Sequence, residues 1–209
     1  MKIEVITAGH GGQGVLELAN YISYFHVLKG RHAAYTPSYG PETRGGKVKC
    51  YVVASDEFID SPIVEEPDFL VVMNIPSMDF VPMLKPGGIL VVNSSLVSQP
   101  IARNDVKVWR IPATELASGL KEFGPPGGKD TSIAANAVMF GAYLALTGEN
   151  LQNELIAVKA VFEHFFTDRK AAYIPLNMHA VQSGYEFAIK GPKETPASSI
   201  VAGPSKASS

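Results

Sequence analysis

The sequence has 209 residues, a formal net charge of −2 and 46% hydrophobic residues. A chain of this length can bury a sizeable core in one domain. It has no run of basic residues of the kind that binds nucleic acid. Cys50 is the only cysteine, so the chain forms no internal disulfide and cannot supply the four thiolates that an iron–sulfur cluster usually needs. The five histidines are scattered and none pairs with another at ligand spacing, so we predict no zinc site.

The N-terminal segment and the hydropathy pattern argue against export and against membrane insertion. Glu4 interrupts the first apolar run and glycines follow within a few residues, which is unlike a signal peptide. No apolar stretch approaches the roughly 20 residues that are needed to span a bilayer. We therefore predict a cytoplasmic protein with no membrane or nucleic-acid partner.

The first 36 residues predict a strand, a turn, a helix and a second strand. Residues 2–8 are β-rich, and residues 9–14 form a glycine-rich turn. Apolar residues recur at helical spacing over 15–28, and residues 32–36 form the second strand. This order is the opening of a doubly wound, mostly parallel sheet of the α/β class, with a Rossmann-like turn after the first strand.

The remaining strands and helices follow from the same patterns. Strands are predicted at 48–53, 69–73, 89–92 and 106–111. Helices are predicted at 77–84, 114–122, 133–146, 151–166 and 177–190. From residue 191 onward the chain is rich in Pro, Ser, Ala and Gly and has little to bury. We predict a single α/β domain over 1–190 and a disordered tail over 191–209.

The glycine-rich turn is the first candidate site. Gly9, Gly11 and Gly14 fit the pattern G-x-G-x-x-G after a strand and before a helix, which is the context that the motif needs. Glycine lets a ligand approach the backbone, and a helix N-terminus offers free N–H groups to an anion. We take Gly9, Gly11, Gly12, Gln13 and Gly14 as candidate cofactor-binding residues. The alternative is that the glycines only let the strand and the helix pack closely.

A nicotinamide cofactor fits this turn poorly. An NAD site needs an acidic residue near the end of the second strand to hold the ribose hydroxyls. Here that strand ends in the segment 35–38, which has no acid, and the first acid is Glu42 in the next loop. We therefore expect NAD to bind weakly or not at all.

The loop over 38–46 is the second candidate site. It leaves the carboxyl end of the second strand, and ligands of open α/β sheets bind at that edge. Arg44, beside two glycines, could present its guanidinium to a phosphate or a carboxylate. We expect this loop and the glycine-rich turn to lie side by side, at the ends of adjacent parallel strands. The alternative is that Arg44 only forms a surface ion pair with Glu42.

Several stretches together resemble the gamma subunit of 2-oxoacid:ferredoxin oxidoreductases. The resemblance covers nearly all of the chain except its tail. The matching stretches are Gly11–Val15, Ser38–Glu42, Arg44–Gly46, Asn74–Ser77, Lys85–Gly88, Asn93–Leu96, Asn136 with Gly141, Leu176–Asn177 with Ala180, and Gly184–Glu186. Within the family, the sequence over 37–46 and 93–96 is most similar to the 2-oxoglutarate and branched-chain 2-oxoacid branches. The segment 123–131 departs from the family pattern, which leaves the substrate branch open.

The resemblance implies a division of labour between chains. Such enzymes convert a 2-oxoacid and coenzyme A into an acyl-CoA and carbon dioxide and reduce ferredoxin. It implies that thiamine diphosphate, Mg and iron–sulfur clusters are held by alpha-, beta- and delta-type partner subunits, and that this chain alone binds no cofactor and has no catalytic residue. Coenzyme A is the co-substrate, and Arg44 is a possible contact for it or for a partner chain.

Two other classes of function remain open at this point. One is a free-standing nucleotide-fold enzyme, either a nicotinamide reductase or a methyltransferase, since the turn Lys85–Gly88 before a buried strand also occurs in methyltransferases. The other is a non-enzymatic nucleotide-binding or assembly module.

Overall fold

The strands form one twisted sheet whose order along the sheet is β2-β3-β1-β4-β5-β6-β7. The computed structural model describes residues 1–39, 47–127, 130–191 and 193–194. Within them the strands are β1 (Lys2–His10), β2 (His32–Tyr39), β3 (Lys47–Ser55), β4 (Phe69–Val72), β5 (Ile89–Asn93), β6 (Lys107–Ile111) and β7 (Lys193–Glu194).

The sheet is mostly parallel, as the sequence predicts, but its first two strands are not neighbours. β1, β4, β5 and β6 pair in parallel, whereas β3 is antiparallel to both β1 and β2. β2 therefore runs in the direction of β1 but lies one strand away from it. The expectation that β1 and β2 are adjacent is wrong.

Burial explains why β3 takes the inner position. Val48, Cys50 and Val52 belong to the core on one face of the sheet, and Val53 belongs to the core on the other face. A strand that is apolar on both faces is stabilised by neighbours on both edges. β2 contains Pro37, which has no N–H for a ladder, and a strand with proline is suited to the edge of a sheet.

Five α-helices lie within the described residues. They are α1 (Val15–Leu28), α2 (Ala113–Ser118), α3 (Ala135–Leu146), α4 (Leu151–Phe165) and α5 (Ile174–Lys190). The predicted helix at 77–84 is instead a 3-10 helix over Ile75–Met83, with Pro82 inside it. Shorter 3-10 helices occur at Lys121–Phe123, Ser132–Ala134 and Asp168–Tyr173.

The chain crosses to both faces of the sheet, so the predicted doubly wound α/β class is confirmed. The α-helices bury one face, where Leu18, Phe25, Phe140 and Phe162 join the core. The 3-10 helix Ile75–Met83 and the irregular segments beside it cover the other face through Val64, Val81 and Val97, among others.

α3 and α5 touch through their backbones. A Cβ on Gly141 would lie 1.9 Å from the carbonyl oxygen of Val181, and a Cβ on Gly184 would lie 1.8 Å from that of Val138. Real Cβ atoms do not approach backbone oxygens so closely, so only glycine fits at these two positions. The two glycines set the separation between α3 and α5.

Gly184→Ala should therefore destabilise the fold by about 1–3 kcal/mol or more, because the methyl group must push two helix backbones apart. Urea denaturation of the purified chain measures the free energy of unfolding. Gly119→Ala is the matched control, since its Cβ would find the nearest atom at an ordinary 3.4 Å. Equal unfolding free energies for wild type and Gly184→Ala would contradict the prediction.

A buried polar network joins α1 to α3. Arg31 Nη1 donates to His26 Nδ1 at 2.9 Å, and His26 Nε2 lies 2.7 Å from the hydroxyl of Tyr143. Because a guanidinium can only donate, His26 is neutral with its proton on Nε2, which donates to Tyr143. Burial, helped by the neighbouring charges of Arg31 and Lys29, lowers the pKa of His26 to about 4.

This network should make folding stability depend on pH. In the unfolded chain His26 takes up a proton near pH 6.5, whereas the folded chain takes it up only near its pKa of about 4. Stability should therefore fall as pH decreases from about 6.5 to about 4, by up to about 3 kcal/mol from this residue. Urea denaturation at pH 7 and pH 5 should show a smaller loss in His26→Gln than in wild type. The same loss in both proteins would contradict the assignment.

The predicted tail begins with a short ordered segment. Lys193–Glu194 pair antiparallel with Val108 and Trp109 of β6, so the predicted disorder does not extend to these two residues. Residues 195–209 lie outside the described residues, and their disorder stays a prediction. In the part of the chain that the structure describes, no helix is long and apolar enough to cross a membrane.

Candidate functional site

The glycine-rich turn lies at the carboxyl end of β1 and is closed by its own hydrogen bonds. The N–H of His10 donates to Gln13 Oε1 at 3.1 Å, and the N–H of Gln13 donates to the carbonyl of His10 at 3.2 Å. Gly14 then adopts a left-handed conformation, with φ 68°, immediately before α1 begins. The turn is thus a formed loop that feeds directly into a helix.

The neighbouring strand holds this turn from the sheet side. Asn74, just after β4, donates from Nδ2 to Gln13 Oε1 at 2.8 Å. Its Oδ1 accepts from the N–H and the hydroxyl of Ser77 at 3.0 and 2.7 Å. The chain leaves β1 toward β2 on one side and leaves β4 toward β5 on the other. The turn therefore lies at the topological switch point, where open α/β sheets bind their ligands.

The four glycines of the turn have different roles. A Cβ on Gly9 would lie 2.5 Å from Val15 Cγ2, and a Cβ on Gly14 would lie 2.4 Å from Asn136 Nδ2. A Cβ on Gly11 or Gly12 would meet nothing within 4 Å. Close packing therefore requires glycine at the two ends of the turn, whereas its middle is open. A binding role for these residues and Gln13 stays a prediction.

For the second predicted site, the structure describes only the residues on either side of the loop. Arg44 and Glu42 lie outside them, so the predicted role of Arg44 is not tested. The flanking residues Tyr39 and Lys47 end β2 and begin β3, and Lys47 pairs with His10. Tyr39 and Lys47 therefore lie at the same end of the sheet as the glycine-rich turn.

The strand order adds a second reason against a nicotinamide site. In a Rossmann site the ribose-binding acid comes from the end of a strand adjacent to the first one. Here β3 occupies that position and starts with Lys47 at this edge. Among the described residues, neither the end of β2 nor the start of β3 carries an acid at this edge.

A cavity of about 480 Å³ opens on the helix side of the turn. We call it the helix-end cavity, because the start of α1, the start of α3, the end of α4 and the start of α5 converge there. It is lined by Gly12, Gly14, Glu17, Asn20, Tyr21, Ile133, Asn136, Phe165, Phe166, Lys170, Tyr173 and Asn177.

The polar groups of the cavity are only partly used within the protein. Asn136 Oδ1 accepts from the N–H of Ala137 at 2.8 Å, and burial raises the pKa of the Tyr21 hydroxyl well above its usual value. Asn177 is only 4% exposed and donates from Nδ2 to the carbonyl of Tyr173 at 2.9 Å. Among the described residues, Asn177 Oδ1, the amide of Asn20 and the ammonium of Lys170 have no partner.

Sequence reasoning missed most of this cavity. Only Gly12 and Gly14 belong to a motif, whereas the other lining residues are separated by up to 160 positions, from Glu17 to Asn177. Asn136 and Asn177 stand among the residues that carry the family resemblance, but nothing in the local pattern brings them to the turn.

The segment that departs from the family pattern is partly anchored. Phe123 stacks on His179 of α5 with ring centroids 3.5 Å apart, and Thr131 is buried. A partner contact by this segment stays a prediction. Within the described ranges, no three His, Cys, Asp or Glu residues form a group that could hold a metal ion.

A doubly wound α/β domain with a glycine-rich turn at its switch point is found in many nucleotide-handling proteins, so the fold alone does not choose among them. Residues 4–187 match the family model described as Pyruvate ferredoxin/flavodoxin oxidoreductase. The chain belongs to this family, which confirms the predicted resemblance.

Two relatives show the family in different chain lengths. The ketoisovalerate oxidoreductase subunit VorA of Methanothermobacter thermautotrophicus is 36% identical over 190 residues, covering 90% of this chain and 36% of VorA. The 2-oxoglutarate synthase subunit KorC of Methanocaldococcus jannaschii is 36% identical over 193 residues, covering 90% of this chain and 95% of KorC. The chain thus spans about a third of VorA and nearly all of KorC.

A solved structure agrees with the fold. The gamma subunit of a keto/oxoacid ferredoxin oxidoreductase from Geobacter sulfurreducens is similar with a TM-score of 0.70 and 27% identity, covering 90% of this chain and 99% of that one.

Gly14→Ala should destabilise the protein by about 1–3 kcal/mol, because its Cβ would overlap the side chain of Asn136 and the left-handed backbone would be strained. Gly11→Ala, whose Cβ meets open space, should stay within about 1 kcal/mol of wild type. Thermal or urea denaturation of both variants measures the difference. A stability loss of the same size in both would show that the turn is not packed as described.

Proposed function

We propose that this chain is the gamma-type subunit of a thiamine diphosphate-dependent 2-oxoacid:ferredoxin oxidoreductase. The assembled enzyme would decarboxylate 2-oxoglutarate or a branched-chain 2-oxoacid, transfer the acyl group to coenzyme A and pass the electrons to ferredoxin. The observation that carries the proposal is the family match over 4–187, together with a KorC relative that this chain matches over nearly its whole length.

The residues of the chain support a non-catalytic role for it in this reaction. With Cys50 as its single cysteine, buried within the sheet, the chain does not fit the four-thiolate ligation of an iron–sulfur cluster. Thiamine diphosphate, Mg and the clusters would be held by alpha-, beta- and delta-type partner chains, and ferredoxin would dock through the complex. This chain would supply a rigid edge, with the open glycines of the turn facing coenzyme A or a partner.

The assembly can be tested by expressing the chain with and without alpha-, beta- and delta-type chains from the same organism. We expect a brown complex that oxidises a 2-oxoacid in a coenzyme A-dependent reaction, and an isolated folded chain with neither iron nor activity. Full activity of the partner chains without this chain would contradict the proposal. Saturable binding of NAD or a methyl donor to the isolated chain, without co-purifying partners, would favour the free-standing enzyme instead.

Arg44→Ala should affect the assembled enzyme but not the fold, since we propose that its guanidinium holds a phosphate of coenzyme A or contacts a partner chain. Loss of one charge-assisted contact is worth about 1.5–3 kcal/mol. The apparent KM for coenzyme A should therefore rise about ten- to a hundred-fold, or the subunits should dissociate more easily.

The measurement is the rate of the reconstituted complex against coenzyme A, with the 2-oxoacid saturating. Lys107→Ala is the control, because Lys107 is exposed at the opposite edge of the sheet. Unchanged KM, turnover and co-purification in Arg44→Ala would leave Arg44 with only a surface role.

A further inference from the structure

Asn74 has a side-chain amide whose orientation is fixed by the backbone. The residue caps the 3-10 helix Ile75–Met83 and is only 5% exposed. Its Oδ1 accepts from the N–H of Ser77 at 3.0 Å and from the hydroxyl of Ser77 at 2.7 Å. Because a backbone N–H can only donate, the oxygen of this amide faces Ser77 and its Nδ2 faces the other way. Asn74 therefore approaches the glycine-rich turn as a donor.

Gln13 receives this donor and passes the orientation on to the turn. Asn74 Nδ2 lies 2.8 Å from Gln13 Oε1, although the two residues are 61 positions apart in the chain. The same oxygen accepts from the N–H of His10 at 3.1 Å, and Gln13 Nε2 lies 3.5 Å from the carbonyl oxygen of Met73. A reversed Gln13 amide would bring donor against donor at both Asn74 and His10. The N–H of Ser77 thus determines, through two amides, which atom faces the N–H of His10.

Packing does not fix the middle of the turn in the same way. A Cβ on Gly11 or Gly12 would meet nothing within 4 Å, and Gly12 has a φ of 93°. Glycine adopts many backbone conformations at low cost, so two glycines that nothing packs against keep one conformation only if hydrogen bonds select it. The bonds of Gln13 to Asn74, Met73 and His10 supply this selection.

We propose that Asn74 is a positioning residue for the coenzyme A step of the reaction. By orienting Gln13, it holds the backbone of Gly11 and Gly12 in one conformation before coenzyme A arrives, which lowers the entropy lost on binding. Its own side chain is buried against Ser77 and Gln13, so it acts through the turn rather than by touching the co-substrate. The inference rests on the proposed function, which supplies coenzyme A as the co-substrate.

Asn74→Asp tests this relay with almost no change of shape. A carboxylate oxygen still accepts from Ser77, and aspartate caps a helix as well as asparagine does, but the donor to Gln13 is lost. Gln13 then turns Nε2 toward the carboxylate and its oxygen away from His10. In the purified full-length chain, the N–H of His10 should exchange with solvent about five- to tenfold faster than in wild type, as measured by NMR.

Two controls separate the lost donor from the added charge. Asn150→Asp adds the same charge at another cap, since Asn150 is exposed at the start of α4 and accepts from the N–H of Gln152 at 3.1 Å. Gln13→Glu adds the charge at the turn itself but keeps an oxygen for both Asn74 and His10. Both controls should keep the wild-type exchange rate at His10.

The assembled enzyme supplies the second measurement. Asn74→Asp should raise the KM for coenzyme A about three- to tenfold and leave kcat and the KM for the 2-oxoacid unchanged. A variant that is only less stable would behave differently. It would lose active enzyme, and so apparent kcat, with both KM values as in wild type.

Unchanged exchange at His10 in Asn74→Asp would overturn the inference, as would the same acceleration in Gln13→Glu. Faster exchange with an unchanged KM for coenzyme A would overturn it too, because the turn would then be positioned without effect on the reaction. The exchange measurement needs no partner chain. Absence of coenzyme A-dependent oxidation by the wild-type assembly would therefore count against the proposed function, whereas the exchange rates test Asn74 separately.

Discussion

The close approach of α3 and α5 is the constraint on which the helical layer depends. Ten consecutive residues of α3, from Ala135 to Leu144, are buried, which requires neighbours on every side of the helix. The sheet supplies one side, and α5 supplies another only because Gly141 and Gly184 let the two backbones touch. With bulkier residues at this crossing, α3 could not lie so deep against the sheet.

Because α3 lies deep against the sheet, its first turn supports the glycine-rich turn. Its first turn places Asn136 against Gly14, so the turn is held from the helix side by this contact and from the sheet side by Asn74 and Gln13. Only Gly11 and Gly12, between these two supports, face open space. A loop that is held at both ends would lose little conformational entropy if a ligand or partner contacted its open middle.

The same domain occurs in relatives as nearly a whole subunit and as about a third of a longer one. The two cores, one on each face of the sheet, explain how this is possible. Each is built from residues that this domain itself contributes. In our proposal, function depends on the edge that the domain presents to its partners rather than on chemistry within its core.

Local patterns in the sequence determined most of the elements and the class of the fold. The helix at Val15–Leu28 and the glycine-rich turn before it could be predicted, because hydrophobic spacing and glycine preferences act over a few residues. The single cysteine already indicated that this chain cannot supply the four thiolates of an iron–sulfur cluster. A helix at 77–84 was predicted as well, but not its 3-10 form over Ile75–Met83.

Only the tertiary structure decided the strand order and the cavity. The insertion of β3 between β1 and β2 depends on which strand can be buried on both faces and edges, and this is a comparison between distant segments rather than a local preference. The convergence of Asn20, Lys170 and Asn177 on one cavity depends likewise on helix packing. Side chains so far apart in the chain line one cavity only when the helices that carry them are packed. The separation of α3 and α5 is set by two glycines whose role no local pattern reveals.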